Sequence, residues 1–337
     1  MAKIVPQLLD IKKALYFLMM LFMLSACTES NSQEAKTEVQ TTDAAAQQVS
    51  SIAYTEYPLA YLVDGELFFY SLADNKKVKF IEEPSAIFNF TFDTEGTTLY
   101  YNVERDNTLW LKSADISTAD VTPQWLVDWQ LQKDECITET YDETSPLLYH
   151  QGKLLMQHGF NWDNYYFSSM SIYSIGTKEI SRKGLDYDVI QKYSGALTFD
   201  KIYQYFKTIK QQLYYTGNNA KVCLTDKLDF VAQKTEGDEV DEIEFTGFML
   251  SPDKTKILFG AAVSWGDLGH GPYNIANADG SQQMMLKDTD IASSKQPVWL
   301  KNNRVVFIDN ENNLFIANND ENTIEKVAEN VSSYVAH

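Results

Sequence analysis

Residues 257–280 read "ILFGAAVSWGDLGHGPYNIANADG". The segment begins and ends with an apolar run that is typical of a sheet strand. Between the two runs, residues 263–272 form a ten-residue stretch that contains glycine, tryptophan, aspartate and histidine. We therefore predict two antiparallel strands joined by a lengthened turn, which lies on one face of a closed ring of small sheets.

The same strand–turn–strand pattern occurs six times along the chain. The copies start about 49 residues apart on average, which is near the period of four-stranded propeller blades. Aromatic residues make up 13% of the sequence, with 20 Tyr and 18 Phe, and this enrichment favours strands. The six copies begin at Ala60, Leu99, Leu154, Leu213, Ile257 and Val305.

Each copy has room for one inner strand before it and one outer strand after it. Candidate inner strands are "FTGFML" at 245–250 and "PVWL" at 297–300, and "IEKVA" at 324–328 is a candidate outer strand. The first copy lacks an inner strand, which "VSSYVA" at 331–336 supplies, although "SIAYT" at 51–55 is a rival. We predict an all-β fold: a six-bladed β-propeller of four-stranded antiparallel blades, closed by the C-terminal strand.

Three neighbouring segments resemble a known family. They read "LSPDKTKILF" at 250–259, "YNIANADGSQQMML" at 273–286 and "QPVWLKNNRVVFI" at 296–308. This order of a Ser-Pro-Asp turn, an Asn-Ala-Asp-Gly-Ser turn and Pro-x-Trp is similar to the repeat of TolB-type β-propellers. The resemblance implies a periplasmic or surface propeller that works by binding, and it carries no catalytic residue. Lys254 stands where the family usually has Gly, and Asp253 is predicted to hold its own turn.

The first 27 residues have the features of a secretion and lipidation signal. Lys12 and Lys13 precede an eleven-residue apolar run at 14–24, which is too short to span a bilayer. "LSAC" at 24–27 resembles the bacterial lipobox, so Cys27 is the predicted lipidation site; an ordinary signal peptide with an unrelated cysteine is the alternative. Thr28 follows the cysteine, which in lipoproteins of two-membrane bacteria resembles an outer-membrane destination.

These features predict three parts of the chain. Residues 1–26 are a lipoprotein signal peptide, residues 27–50 are a disordered tether rich in Gln, Ser, Thr and Glu, and residues 51–337 are the propeller. The predicted location is the outer membrane, held by the lipid anchor only, and the side of the membrane stays open.

The net charge of −19 excludes one class of ligand. A chain this acidic repels phosphate backbones, so nucleic acid is not a predicted partner. Two acidic segments, residues 133–143 and 234–244, could bind a basic partner surface or Ca²⁺, but neither has the spacing of an EF-hand. No cofactor is predicted, and Ca²⁺ stays open.

Two long turns are the predicted binding site. Residues 159–167 and 263–272 both join a second strand to a third, and both contain a Trp followed closely by an Asp. Aromatic faces with polar edges suit protein, peptide or sugar ligands. Alternatively, the loops fold over their own blades. The candidate residues are Trp162, Asp163, Tyr165, Trp265, Asp267 and His270.

No catalytic motif is present, so the chain is predicted to bind rather than to catalyse. The leading hypothesis is an envelope lipoprotein that binds a protein or peptide through its loop face. Alternatives are a glycan-binding module of an uptake system, a structural spacer, or a hydrolase or lyase that brings Asp163, Asp267, His158 and His270 together. Cys136 and Cys223 are not neighbours in the predicted strand order, and their pairing stays open.

Overall fold

The computed structural model describes residues 53–133, 140–141, 145–161, 166–193, 202–217, 220–230, 243–263, 270–293 and 295–336. These residues belong to one compact unit, Ser50–His337. The predicted signal peptide, the tether and Cys27 lie outside the described residues, so their boundaries stay predictions. No described helix is long and apolar enough to cross a membrane.

The first half of the unit contains three antiparallel sheets, or blades. Blade 2 carries an additional short strand that pairs in parallel with its outer strand. The strands of blade 1 are Leu59–Val63 (β1), Glu66–Ser71 (β2) and Lys76–Lys79 (β3); those of blade 2 are Ile87–Phe92 (β4), Thr98–Arg105 (β5), Thr108–Asp115 (β6), Gln124–Lys133 (β7) and Thr140–Tyr141 (β8); those of blade 3 are Leu147–His150 (β9), Lys153–Asn161 (β10), Tyr166–Ser174 (β11) and Glu179–Gly184 (β12).

The second half of the unit contains the other three blades. A short helix, Tyr187–Tyr193 (α1), follows blade 3, and blade 4 has three strands among the described residues. The strands of blade 4 are Phe206–Ile209 (β13), Gln212–Tyr215 (β14) and Val222–Cys223 (β15); those of blade 5 are Glu244–Leu250 (β16), Lys256–Ala262 (β17), Tyr273–Asn277 (β18) and Met284–Leu286 (β19); those of blade 6 are Val298–Trp299 (β20), Val305–Ile308 (β21), Leu314–Asn318 (β22) and Thr323–Ala328 (β23).

The last strand, Val331–Ala336 (β24), completes blade 1. It pairs antiparallel with β1, so that Leu59 faces Ala336 and Tyr61 faces Tyr334. The sheet order β24–β1–β2–β3 confirms the six-bladed propeller closed by the C-terminal strand. The rival segment 51–55 does not supply the inner strand of blade 1, because Tyr54–Glu56 form a single 3₁₀ turn.

Apolar side chains fill the spaces between neighbouring blades. Separate clusters join blades 1 and 2, 2 and 3, 4 and 5, 5 and 6, and 6 and 1. Between blades 4 and 5, for example, the rings of Phe206 and Phe248 stack with centroids 4.0 Å apart. Leu59 of blade 1 and Ile316 of blade 6 belong to the cluster that closes the ring. These five clusters therefore stabilise neighbouring blades against each other, and the remaining cluster packs blade 3 against α1.

Asp253 holds the turn between β16 and β17, as predicted. Its Oδ1 accepts hydrogen bonds from Ser251 Oγ at 2.7 Å, Thr255 N at 2.9 Å and Thr255 Oγ1 at 2.8 Å. Its Oδ2 accepts one from Asn303 Nδ2 of the corresponding turn in blade 6 at 2.7 Å. Lys254 has a φ of +63°, which explains why Gly suits this position in related repeats.

Replacing Val331 should weaken the closure of the ring. Val331 is fully buried, so Val331→Ala removes two methyl groups from the cluster between blades 6 and 1. The expected loss is about 1–3 kcal/mol in the free energy of unfolding, measured by urea denaturation. Thr323→Ala, at an exposed position of the outer strand β23, is the control. Equal stability of the two variants would contradict a closing role for β24.

The contribution of Asp253 to stability should depend on pH. Hydrogen bonds, first from the Thr255 amide and then from the Ser251 and Thr255 hydroxyls, lower the pKa of Asp253 to about 2. Because the folded-state pKa lies below the unfolded value of about 3.9, the stabilisation is present above pH 4 and disappears as the pH falls through 2.

The variant Asp253→Ala tests this dependence. The difference in urea midpoint between the wild type and Asp253→Ala should be largest at pH 6 and should shrink between pH 4 and pH 2. Glu321→Ala, which removes one exposed carboxylate from another turn, controls for the change in net charge. A difference that stays constant over this range would show that ionised Asp253 does not stabilise the turn.

Candidate functional site

The direction of the strands divides the propeller into two faces. Connections from second to third strands, together with the links between blades, lie at one end, which we call the upper face. Connections from first to second and from third to fourth strands lie at the other end, the lower face. The inner strands β4, β9, β13, β16, β20 and β24 surround the axis.

Most of the predicted binding residues lie outside the described residues. The strands that flank the two predicted turns, β10–β11 and β17–β18, end at the upper face. The predicted turn 159–167 was too long, because β10 and β11 stay paired as far as Asn161 and Tyr166, so that only residues 162–165 lie between them. His270 is the one predicted site residue whose position is described, and it lies on this face. The others are Trp162, Asp163, Tyr165, Trp265 and Asp267, which stay predictions.

His270 is joined to the link between blades 5 and 6. Its Nδ1 lies 2.8 Å from Oδ2 of Asp290, and the imidazole ring is exposed. The other carboxylate oxygen of Asp290 accepts hydrogen bonds from the Gly271 amide at 3.3 Å and the Ala292 amide at 3.0 Å. Asp290 therefore fixes the end of the long turn of blade 5 against the link to blade 6.

Tyr273 lies beneath this pair, with 3% of its surface exposed. Its ring is next to Gly247, whose φ of +60° belongs to an irregular step in β16; a β-carbon there would lie 3.5 Å from Cε1 of Tyr273. Burial raises the pKa of Tyr273, and Asp290 and Tyr203 raise it further. The hydroxyl is therefore protonated at neutral pH and can act as a hydrogen-bond donor.

Two exposed tyrosines extend this site towards blade 4. Tyr203 and Tyr205 form a 3₁₀ turn before β13, with exposed fractions of 47% and 40%. The Tyr203 hydroxyl lies 2.8 Å from Oγ1 of Thr246, and its ring packs edge-on against Phe248 at 5.0 Å. The backbone nitrogen of Thr216 donates to the carbonyl of Tyr205 at 2.8 Å. The first two contacts fix the side chain of Tyr203, and the third fixes the backbone at Tyr205.

Lys295 and Tyr334 complete the opposite side. Lys295 Nζ donates to Asn312 Oδ1 at 2.8 Å and to the Val331 carbonyl at 3.2 Å, and Tyr334 donates to the Gln296 carbonyl. Desolvation lowers the pKa of the half-buried Lys295. No described carboxylate lies within ion-pair distance of it. We call this set the upper mouth: Tyr203, Tyr205, His270, Asp290, Lys295 and Tyr334.

Sequence reasoning missed every member of the upper mouth except His270. Tyr203 and Tyr205 lie in "KIYQYF", directly before an inner strand, and Asp290 lies in "DTD", directly after an outer strand. Both segments link blades, so their position on the upper face follows from the propeller topology. The sequence analysis placed its binding residues in turns within blades, and among the links between blades it considered only the acidic segments 133–143 and 234–244.

A second concave site opens at the other end of the axis. This lower cavity has a volume of about 450 Å³ and is formed by inner strands of blades 1, 2, 3 and 6 and by the turn of blade 5. Its main side chains are Thr91, Asp93, Tyr149, Trp299 and Lys301. The sequence analysis did not predict this site.

Two of the four residues named for the hydrolase or lyase alternative, His158 and His270, are among the described residues. His158 is buried, with 1% of its surface exposed, and its Nε2 lies 3.0 Å from Ser171 Oγ, so it is a packed side chain of blade 3. Asp163 and Asp267 lie outside the described residues, and the described part of the chain contains no group of three metal-ligating side chains. Cys223 is a free thiol on β15, the predicted third strand of blade 4, and Cys136 lies outside the described residues.

Removing Asp290 should loosen the upper mouth. In Asp290→Ala the amides of Gly271 and Ala292 lose their acceptor, so we expect their hydrogen exchange to become about tenfold faster. His270→Ala leaves both amide hydrogen bonds in place and should change exchange far less. Exchange is measured by mass spectrometry of peptides that cover residues 270–293. Equal rates in the wild type and Asp290→Ala would contradict the role given to Asp290.

Comparison with known proteins gives similarity of fold only. No protein-family model matches the sequence, and no curated protein matches it. The chain is similar to the crystal structure of TolB from Acinetobacter baumannii, with 13% identity and a TM-score of 0.40 over 79% of this chain and 62% of that chain. It therefore spans less than two thirds of the TolB chain.

The chain is also similar to a chain of a nidogen/laminin complex, with 10% identity and a TM-score of 0.30 over 80% of this chain and 76% of that chain. Both similarities are too distant to transfer a ligand or partner. The predicted resemblance to TolB-type propellers is confirmed at the level of the fold, which the sheet order of this chain establishes by itself.

Proposed function

We propose that the chain is a membrane-anchored lipoprotein of the cell envelope whose propeller binds a protein or peptide through the upper mouth. The observation that carries this proposal is a pair of exposed tyrosines, Tyr203 and Tyr205, on the same face as the polar pair His270–Asp290. Exposed aromatic side chains surrounded by polar groups are the usual energetic centre of protein interfaces.

The fixed geometry of the upper mouth favours binding. Thr246 and Phe248 hold Tyr203 from below, and Asp290 holds His270 from the side. Side chains that are already ordered lose little conformational entropy when a partner binds. The upper mouth would therefore be preorganised for its partner.

The charges on the upper mouth support a partner with a carboxylate next to an apolar or aromatic side chain. Lys295 is a half-buried cation that is held by two neutral oxygens, Asn312 Oδ1 and the Val331 carbonyl. A partner carboxylate would supply the missing countercharge, and Tyr203 and Tyr205 would contact the apolar part. The net charge of −19 disfavours nucleic acid.

The anchor is the second part of the proposal. The lipobox-like segment ending at Cys27 supports acylation of that residue, and more than one acyl chain gives stable attachment to a bilayer. Residues 28–50 would serve as a polar tether between the lipid and the propeller. Thr28 supports an outer-membrane destination.

Substitution of the two tyrosines tests the binding surface. Affinity capture from solubilised membranes with the full-length protein should recover one or more specific proteins, and Tyr203→Ala with Tyr205→Ala should reduce that recovery at least tenfold. Trp125→Ala removes an exposed aromatic side chain from the outer strand of blade 2 and should not reduce it. Recovery that is unchanged in the double variant, at an unchanged melting temperature, would refute binding through the upper mouth.

Cys27→Ser tests the anchor separately. We expect the wild-type chain in the membrane fraction, labelled by an alkyne fatty acid, and the Cys27→Ser chain without the label and outside that fraction. Cys223→Ser, which changes a cysteine within the propeller, should keep both the label and the location. An unlabelled wild-type protein would support the ordinary signal peptide instead.

A further inference from the structure

We propose that the lower cavity binds a small organic acid that combines a six-membered ring with a carboxylate. The cavity lies at the end of the axis opposite to the upper mouth, and its walls come from five of the six blades. The proposal does not depend on the function proposed for the upper face, because no residue is shared between the two sites.

Two aromatic rings form fixed walls of the cavity. Tyr149 stacks on Tyr100 of the neighbouring blade, with ring centroids 5.9 Å apart and an angle of 12° between the rings. Trp299 donates from Nε1 to the carbonyl of Met249 at 3.3 Å, which ties its indole to blade 5. Because these contacts fix both rings, each ring can stack against a ring of the ligand at low entropic cost.

Lys301 supplies the positive charge. It lies in the turn between β20 and β21, it is exposed, and no ion pair joins it to a carboxylate in the described part of the chain. Lys256, another cation of the lower face, is buried and already bonded to Asp320 at 2.6 Å. On a chain with a net charge of −19, an unpaired lysine at a cavity selects for a ligand anion.

The remaining polar groups fit the uncharged part of such a ligand. Asp93 directs its carboxylate towards its own turn, where Oδ1 accepts from the amides of Thr97 at 2.8 Å and Thr98 at 3.1 Å. These bonds hold the carboxylate at its own turn, and it forms no ion pair with Lys301 in the described part of the chain. Thr91 and Thr94 line the same wall and can exchange hydrogen bonds with ligand hydroxyls.

The size of the cavity sets the ligand class. A volume of about 450 Å³ accommodates one or two six-membered rings. A single lysine matches one carboxylate and is too little charge for a nucleotide polyphosphate. Two sources share this chemistry, namely a hexuronic sugar, whose C–H face stacks on aromatic rings, and an aromatic acid.

Calorimetric titration of the full-length protein in detergent tests the site with three probes: D-glucuronate, benzoate and neutral D-glucose. One of the two acids should bind with a Kd below about 1 mM, and glucose should bind at least tenfold more weakly. Binding of glucuronate identifies a sugar acid as the ligand class, and binding of benzoate alone identifies an aromatic acid.

Variants assign the binding to the cavity. Lys301→Ala and Trp299→Leu should each weaken the acid at least tenfold, whereas Lys287→Ala, an exposed lysine at the end of β19, should leave it unchanged. Lys301→Ala changes an exposed side chain in a turn, so we expect this variant to fold. It therefore tests the site even if Trp299→Leu does not fold. Tyr203→Ala should also leave the acid unaffected, which separates this result from that for the upper mouth.

Three results would overturn the proposal. One is the absence of binding by either acid at about 10 mM. Another is glucose binding as tightly as glucuronate, because this would remove the role of the carboxylate. The third is unchanged affinity in Lys301→Ala.

Discussion

The pairing of β24 with β1 is the contact on which the rest of the structure depends. It joins Ser332 to Leu62 across 270 residues of sequence, and it turns six sheets in a row into a ring. Tyr334 in the upper mouth and Ala336 in the lower cavity both belong to β24. Both candidate sites are therefore consequences of closure as well as of local sequence.

Polar contacts fix the relative orientation of blades that apolar packing holds together. Between blades 2 and 3, Asn89 donates to the Ser145 carbonyl at 2.7 Å, and within blade 2 the indole of Trp129 donates to Asn102 at 2.8 Å. Between blades 5 and 6, Lys256 reaches Asp320. Apolar contact tolerates sliding, but a buried hydrogen bond is lost when its partners shift. The two pairs that cross between blades therefore fix the angle between neighbouring blades, and the pair within blade 2 fixes the order of its strands.

The fold could be predicted from the sequence because its signals are local. Short apolar runs and Asx turns recur about every 49 residues, and counting strands showed that 331–336 was needed to complete blade 1. The sites could be predicted only in part. His270 lies in a visibly long turn, but Tyr203 and Asp290 come together only through packing of blades 4 and 5. The lower cavity draws single residues, such as Tyr149 and Trp299, from separate inner strands, and no local pattern marks them.

Because β1 and β24 share one sheet, the order of synthesis also determines when blade 1 can be completed. β1 is made early, but its inner neighbour β24 follows all the other strands in the chain, so blade 1 stays open until the other five blades have been synthesised. Contacts between such distant segments form slowly, because a long loop must close first. A chain terminated before β24 would lack Tyr334 and Ala336, so binding at either end of the axis would report that β24 had been made and paired.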